Sequence, residues 1–152
     1  MSNANVVTVE KTSNANIAIV AKMWECFGNG DMDTLRNIFA PDITYRMPGY
    51  HPIAGTKKGI DELFGFFGEL GKSNVKVDLL KIGALGEDMV VEVHHGYGET
   101  QGAVLDVTNC NVYQIRDGKI AKVDCYNGDQ HTIDNFFNAI YRLKPITERL
   151  AD

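Results

Sequence analysis

Asn109 and Asn111, the four histidines and two carboxylates near the end of the last β-rich run are the residues here best suited to move protons or hold a carbonyl oxygen. Asn109 and Asn111 are two apart in a strand-like run and so share one face. Their amides can donate to a substrate carbonyl or enolate, where one well-placed donor is worth roughly 3 kcal/mol in a transition state. The same pair can equally be satisfied core amides. His94 and His95 are adjacent, so their side chains leave opposite faces and cannot converge on one metal. His95 travels with Val91 and Val93 and is expected to point inward as an acid–base group. His94 travels with Glu92 and is expected to point out. Asp129 can act as a general base if apolar surroundings raise its pKa, or can cap the last helix, and the two roles are compatible. Asp124 shares its face with Lys122 and Tyr126 and is expected to be solvated or ion-paired. His51 lies in the turn Pro48-Gly49-Tyr50-His51-Pro52, and His131 on a final helix, solvated.

The elements that position these residues follow from periodicity. Ile17, Val20, Ala21, Trp24 and Phe27 have helical spacing, stopped by Gly28-Asn29-Gly30. Asp31 is a plausible cap for a shorter helix carrying Leu35, Ile38 and Phe39 before Pro41. Ile43, Tyr45 and Met47 alternate with Thr44 and Arg46 as in a strand. Ile60, Leu63, Phe64, Phe67 and Leu70 mark a third helix with Gly71 as its end. Four β-rich runs follow, 75–85, 89–98, 104–116 and 119–126, with Gly86-Glu87-Asp88 and Asp117-Gly118 as hairpin signals. Ile133, Phe136, Phe137 and Ile140 place a last helix from about 130, with Pro145 beyond it. Helices first and a meander second predict an α+β fold with helices packed on one sheet face. The expected organisation is a leader over 1–13, one domain over 14–141 and a tail over 142–152.

The sequence of 152 residues has room for one ordinary domain. Fifteen Lys and Arg against twenty Asp and Glu give a net charge of −5, which offers no overall basic field for nucleic acid. No apolar run approaches the ~20 residues of a spanning helix, so no membrane is implied and a cytoplasmic location is expected. Cys26, Cys110 and Cys125 form neither a disulfide framework nor a C-x-x-C site. Gly71-Lys72-Ser73 lacks the earlier glycine of a phosphate loop, since Phe66 stands there. Gly96-x-Gly98 before Gly102 misses the dinucleotide spacing. No nucleotide or metal cofactor is indicated.

Asn29-Gly30-Asp31, Phe39-Ala40-Pro41-Asp42, Pro48-Gly49, Gly55, Gly59 and Phe66-Phe67 fall in an order that resembles the first half of SnoaL-like, ketosteroid isomerase-like proteins. These belong to the nuclear transport factor two-like superfamily. Asp117-Gly118-Lys119-Ile120 resembles its penultimate hairpin, and Gly128-Asp129-Gln130 with Asp134 and Phe136-Phe137 resembles the ending of one branch. The resemblance covers roughly residues 14–141. It implies a cystatin-like cone, in which a curved antiparallel or mixed sheet and N-terminal helices enclose a deep, largely apolar pocket. It also implies a homodimer on the outer sheet face. Under this fold Trp24, Phe27, Tyr45, Met47, Phe64, Phe67 and Tyr97 would line the cavity, with Asn109 and Tyr113 as further ligand contacts. Fold alone does not select a function, because isomerases, cyclases, dehydratases, epoxide hydrolases and non-catalytic modules share it.

Position by position, the resemblance restricts the chemistry. The isomerase base falls on Met47 and the oxyanion tyrosine on Met23; the protonated aspartate falls on Cys110 or Asn111. Asn111 is preferred, because Tyr113 and Ile115 continue its inward face. Methionine cannot take a proton, so steroid isomerisation by that route is not expected. The strand matching the epoxide hydrolases reads Val91-Glu92-Val93-His94-His95, without Arg-x-Asp. Cyclase-like members place one acid near the end of the last strand, where Asp129 or Asp124 could serve. The expected function is therefore a cofactor-independent isomerase, cyclase or lyase acting on a small hydrophobic carbonyl compound through an enolate. Asp129 or His95 would be the base, Asn111 and Tyr45 the polarising donors, and His51, at the pocket mouth, a second proton carrier. The rival is a non-catalytic binding or assembly domain, favoured by Met23 and Met47. Convergence of ionisable groups inside the cavity separates the two.

Overall fold

The computed structural model describes residues 14–141; the expected leader 1–13 and tail 142–152, with Pro145, lie outside them. Helix α1 (Ala15–Asn29) begins where the Asn14 side chain accepts from the amides of Asn16 (2.8 Å) and Ile17 (3.1 Å). It ends at Gly30 in the left-handed region, φ +69°. Ile17, Val20, Met23 and Cys26 form its buried stripe. Asp31 caps α2 (Met32–Ile38) through the Thr34 amide, and the chain runs directly into β1 (Phe39–Met47). A loop and a short strand β2 (Gly55–Lys58) precede α3 (Gly59–Lys72). Strand β2 has no counterpart among the expected elements. Gly-Thr-Lys-Lys carries no apolar alternation, and it is a strand only because β1 offers an open edge. The meander β3 (Lys76–Leu85), β4 (Met89–Thr100), β5 (Ala103–Arg116) and β6 (Lys119–Asn127) leads to α4 (Gln130–Ile140).

The six strands form one sheet in the order β2-β1-β6-β5-β4-β3. Only β1 and β6 are parallel, so the sheet is mixed. Strands of this length twist and coil, and the curved sheet closes over the helices around one continuous core. Phe67 is the hub of its aromatic part, with ring centroids 4.7 Å from Phe27, 5.5 Å from Phe64 and 5.8 Å from Tyr45.

Parity along β4 and β5 decides what faces inward. On β5 the inner side chains are Leu105, Val107, Asn109, Asn111, Tyr113 and Ile115. On β4 they are Val90, Glu92, His94 and Gly96. The expectation for β4 is therefore corrected: His94 and Glu92 point in, while Val91, Val93, His95 and Tyr97 face the outer side. The alternation cannot tell an apolar outer face from an apolar core face, and here the apolar face is the outer one. The tight turn at Gln101–Gly102 sets the register, pairing Glu92 with Asn111 and His94 with Asn109.

Candidate functional site

Two adjacent cross-strand rows carry polar side chains into the interior. The first is Glu92, Asn111 and Cys125, and the second is His94, Asn109 and Asn127, in strand order β4, β5, β6. Directly opposed side chains on one face stand about 5 Å apart, so these rows bring six polar groups into mutual reach. Burying a carboxylate costs several kcal/mol unless it is paired and hydrogen-bonded. Glu92 is completely buried. Its carboxylate accepts from His94 Nδ1, 3.1 Å from Oε1 and 3.0 Å from Oε2, and from the Tyr113 hydroxyl at 3.1 Å. Asn111 Nδ2 donates in turn to the Tyr113 hydroxyl at 3.4 Å.

This network assigns the histidine tautomer. An Nδ1–H committed to the carboxylate leaves the lone pair of the neutral ring on Nε2. No described residue hydrogen-bonds Nε2, and the ring lines a cavity of about 80 Å³. Trp24 from α1 packs against the imidazole, with ring centroids 5.4 Å apart. The Trp24 Nε1–H is itself buried without a partner.

Helix α3 supplies Phe66 and Leu70 to the cavity, α4 supplies Ile133 and Phe137, and β1 supplies Tyr45 and Met47. The polar wall is His94, Asn109, Asn111, Asn127 and Cys125, with Gly96 between them. Asn109 is oriented by its Oδ1, which accepts from the Gly128 amide at 3.1 Å. Its Nδ2 is thereby turned toward Gly96 as a donor. Burial pushes the Tyr45 and Tyr113 hydroxyls well above the usual phenol range and the Cys125 thiol up to about 12, so all three keep their protons at neutral pH. At ~30 Å³ of liquid per water, the space suits a compact guest.

Of the residues expected from the sequence, Asn111, Asn109, Tyr45 and Met47 line this cavity. Tyr113 stands behind it, holding Glu92, and Trp24 covers His94. Phe27, Phe64 and Phe67 belong to the neighbouring aromatic core. His95 and Tyr97 do not reach the cavity. They stack on the outer face at 4.9 Å, and His95 Nε2 pairs with Asp106 at 2.6 Å. Asp129 is an exposed cap of α4 that accepts from the Thr132 amide (3.1 Å) and hydroxyl (2.8 Å). Those bonds hold its pKa below the usual carboxylate value, the opposite of what a base working near neutrality needs. Asp124 is ion-paired, with Arg46 at 3.0 Å and Lys122 at 3.4 Å. His51 is not at a pocket mouth; its side chain is sealed against Phe137, and neither ring nitrogen has a hydrogen-bond partner. Burial pushes its pKa down, against a partial pull from Asp134.

Glu92 and His94 are thus the functional candidates that alternation missed. The signal that finds them is the Gln101–Gly102 turn, because counting back from it sets His94 opposite Asn109. A larger groove of about 380 Å³ runs along the outer side, lined by Asp42, Thr44, Gln114, Arg116 and Lys122. Its charged groups are exposed or paired, as Arg116 is with Asp42, and none is a buried acid or base. No helix among the described residues is long and apolar enough to cross a membrane.

Residues 20–123 match the model of the SnoaL-like domain family. An uncharacterised protein of Mycobacterium tuberculosis is 24% identical over 129 residues, covering 83% of this chain and 98% of that one. Among solved structures, Bal32a from a soil-derived mobile gene cassette superposes with a TM-score of 0.78 at 28% identity, covering 81% of this chain and 96% of that one. A Xanthomonas campestris protein of unknown function with a cystatin-like fold gives 0.75 at 26%, covering 81% and 98%. A candidate polyketide cyclase from Xanthomonas campestris pv. campestris gives 0.60 at 20%, covering 74% and 89%. With the mixed sheet and its covering helices in place, the chain belongs to the SnoaL-like domain family of the nuclear transport factor two-like fold.

Proposed function

We propose that the protein is a cofactor-independent acid–base enzyme, an isomerase, cyclase or lyase, that moves a proton on a small carbonyl compound held in the cavity. The observation that carries this reading is the buried Glu92–His94 pair, whose imidazole lines the cavity and whose Nε2 takes a hydrogen bond from no described residue. In the reaction, His94 Nε2 takes a proton from the carbon next to the carbonyl. Glu92 holds the Nδ1–H and stabilises the imidazolium that forms. The electron pair left on carbon moves to the carbonyl oxygen, and Asn109 and Asn111 donate to the resulting enolate. The imidazolium then returns the proton to carbon. The candidate polyketide cyclase among the structural neighbours supports carbonyl chemistry in a fold of this kind. We also propose a homodimer on the outer sheet face, supported by the exposed Tyr126 in one cross-strand row with half-buried Cys110 and Val93, next to Val112 and Val91, and by the exposed Val104 further along β5 on the same face. Sedimentation of the wild type and of Val104→Lys/Tyr126→Lys tests it, with a monomeric wild type as the contrary result.

Exchange of the α-protons of small ketones in D₂O, followed by proton NMR, tests the proposed chemistry. The wild type should accelerate exchange above buffer, and His94→Gln should lose roughly 10²–10⁴-fold of that acceleration. Exchange that is absent in the wild type, or indifferent to His94→Gln, favours the binding-domain alternative.

A further inference from the structure

Gly96 is a glycine that its own backbone does not require. It lies in the interior of β4, on the inner face, two residues along the strand from His94 and opposite Val107. Its φ is not in the left-handed region, so no conformational need selects glycine there. No neighbouring backbone presses on it either. A Cβ built at Gly96 would meet only Asn109 Nδ2, Leu105 Cδ2 and Val107 Cγ2, each at 3.9 Å, which is ordinary contact. The contrast within this fold is Gly128, where a Cβ would collide with the Thr108 carbonyl. Because Gly96 lines the cavity, a longer side chain there would take up cavity space, beside Leu105 and the free amide of Asn109. Glycine inside a strand weakens it, and where sterics do not demand glycine it marks the close approach of another group to the backbone.

We infer that Gly96 is the size-determining position of the cavity, and that the guest is a compact, uncharged carbonyl compound lying against its backbone. Absence of charge follows from the wall. Its polar groups are an imidazole, three carboxamides, a hydroxyl and a thiol held in its neutral form, with the Glu92 carboxylate directly behind His94. No Lys or Arg lines the space to balance an anion. Carboxylates of equal size are therefore refused. The inference rests on the cavity being the substrate site, as proposed above.

A size series on the intact protein tests it. Acetone, butanone, cyclopentanone and cyclohexanone are titrated while the ¹H–¹⁵N resonances of the Asn109 and Asn111 side-chain amides are followed, with acetate as the anion matching acetone in size. The wild type should bind ketones up to a cutoff and ignore acetate. Gly96→Ala should weaken the largest admitted ketone by about tenfold or more, and Gly96→Val should abolish binding. Both variants should unfold at the wild-type temperature or above it, because each restores a side chain to a strand interior. Val77→Ala, which trims the half-exposed rim, should move the cutoff upward. The inference is overturned if no ketone binds the wild type, if acetate binds as well as acetone, or if the cutoff ignores Gly96. It is also overturned if Gly96→Ala lowers the unfolding temperature by several degrees, since the glycine is then structural. Ketone binding with a Gly96-dependent cutoff but no α-proton exchange would sink the catalytic proposal and leave this one standing.

Discussion

Glu92 is buried without a cation of its own, and two donors keep it there: the His94 ring and the Tyr113 hydroxyl. An isosteric amide separates its two contributions. Glu92→Gln removes the desolvation cost of a carboxylate, so the denaturation midpoint should hold or rise. The same change removes the negative charge that stabilises the imidazolium and one of the two oxygens facing Nδ1, so ketone exchange should fall by roughly 10²-fold or more. Chemical denaturation and the exchange assay read the opposing signs, and a parallel fall in both would make Glu92 structural only. His51 makes a different residue-scale prediction. Its folded pKa lies below the ordinary value of 6.5, so below about 6.5 the unfolded chain binds the proton more readily. Its contribution is present above that pH and is lost as pH falls below it. Thermal melts between pH 7.5 and pH 5 should show the loss, and His51→Phe, which keeps the packing on Phe137, should flatten it.

The loop before β2 is clasped on its Gly49–Tyr50 side by α4, one element holding another. Asp134 Oδ1 accepts from the Tyr50 amide at 3.0 Å and from Gln130 Nε2 at 2.9 Å, and Asn138 Nδ2 donates to the Tyr50 carbonyl at 2.8 Å. Gly49 makes the close approach possible, at φ +125° and with Asp134 and Gln130 where a Cβ would stand. Gly49→Ala should therefore cost about 2 kcal/mol or more, measured by urea denaturation, because it adds strain and breaks the clasp together. Ile133 and Phe137 of α4 also wall the cavity, so the same variant should loosen ketone binding. An alanine tolerated at Gly49 would show that the loop is free of the helix.

Over the whole molecule, the fold sorts the three thiols by depth, Cys26 on α1 and Cys110 and Cys125 on opposite faces of the sheet. Cys26 and Cys125 are sealed in the core, and Cys110 is half-buried on the outer face of β5. Native protein should react with a thiol reagent at Cys110 first and at the other two only as it unfolds. Cys125 also links folding to alkaline pH. Its pKa is raised from 9.0 to about 12, so the folded state holds a proton that the unfolded chain releases. That contribution is complete below about 9 and is lost as pH rises toward 12. Cys125→Ala should blunt the corresponding loss of stability in alkaline melts.

Apart from the short strand β2, the element order was legible in the sequence, with the helix caps at Asp31 and Asp129 and the inward face of β5, because periodicity and capping chemistry are local. The resemblance carried the curved mixed sheet as well. What local pattern could not decide was which side of β4 faces the core. Val91, Val93, His95 and Tyr97 make the more apolar face and Glu92, His94 and Gly96 the more polar one, so alternation assigns them the wrong way round. Only strand pairing reverses this, since Tyr113 donates to Glu92, Asn111 donates to Tyr113, and Asn109 stands beside His94. A buried polar row looks like a solvent face until its partners, some twenty residues away, are brought within hydrogen-bonding distance. That juxtaposition belongs to the tertiary structure, and with it the buried Glu92–His94 pair that alternation had turned to solvent.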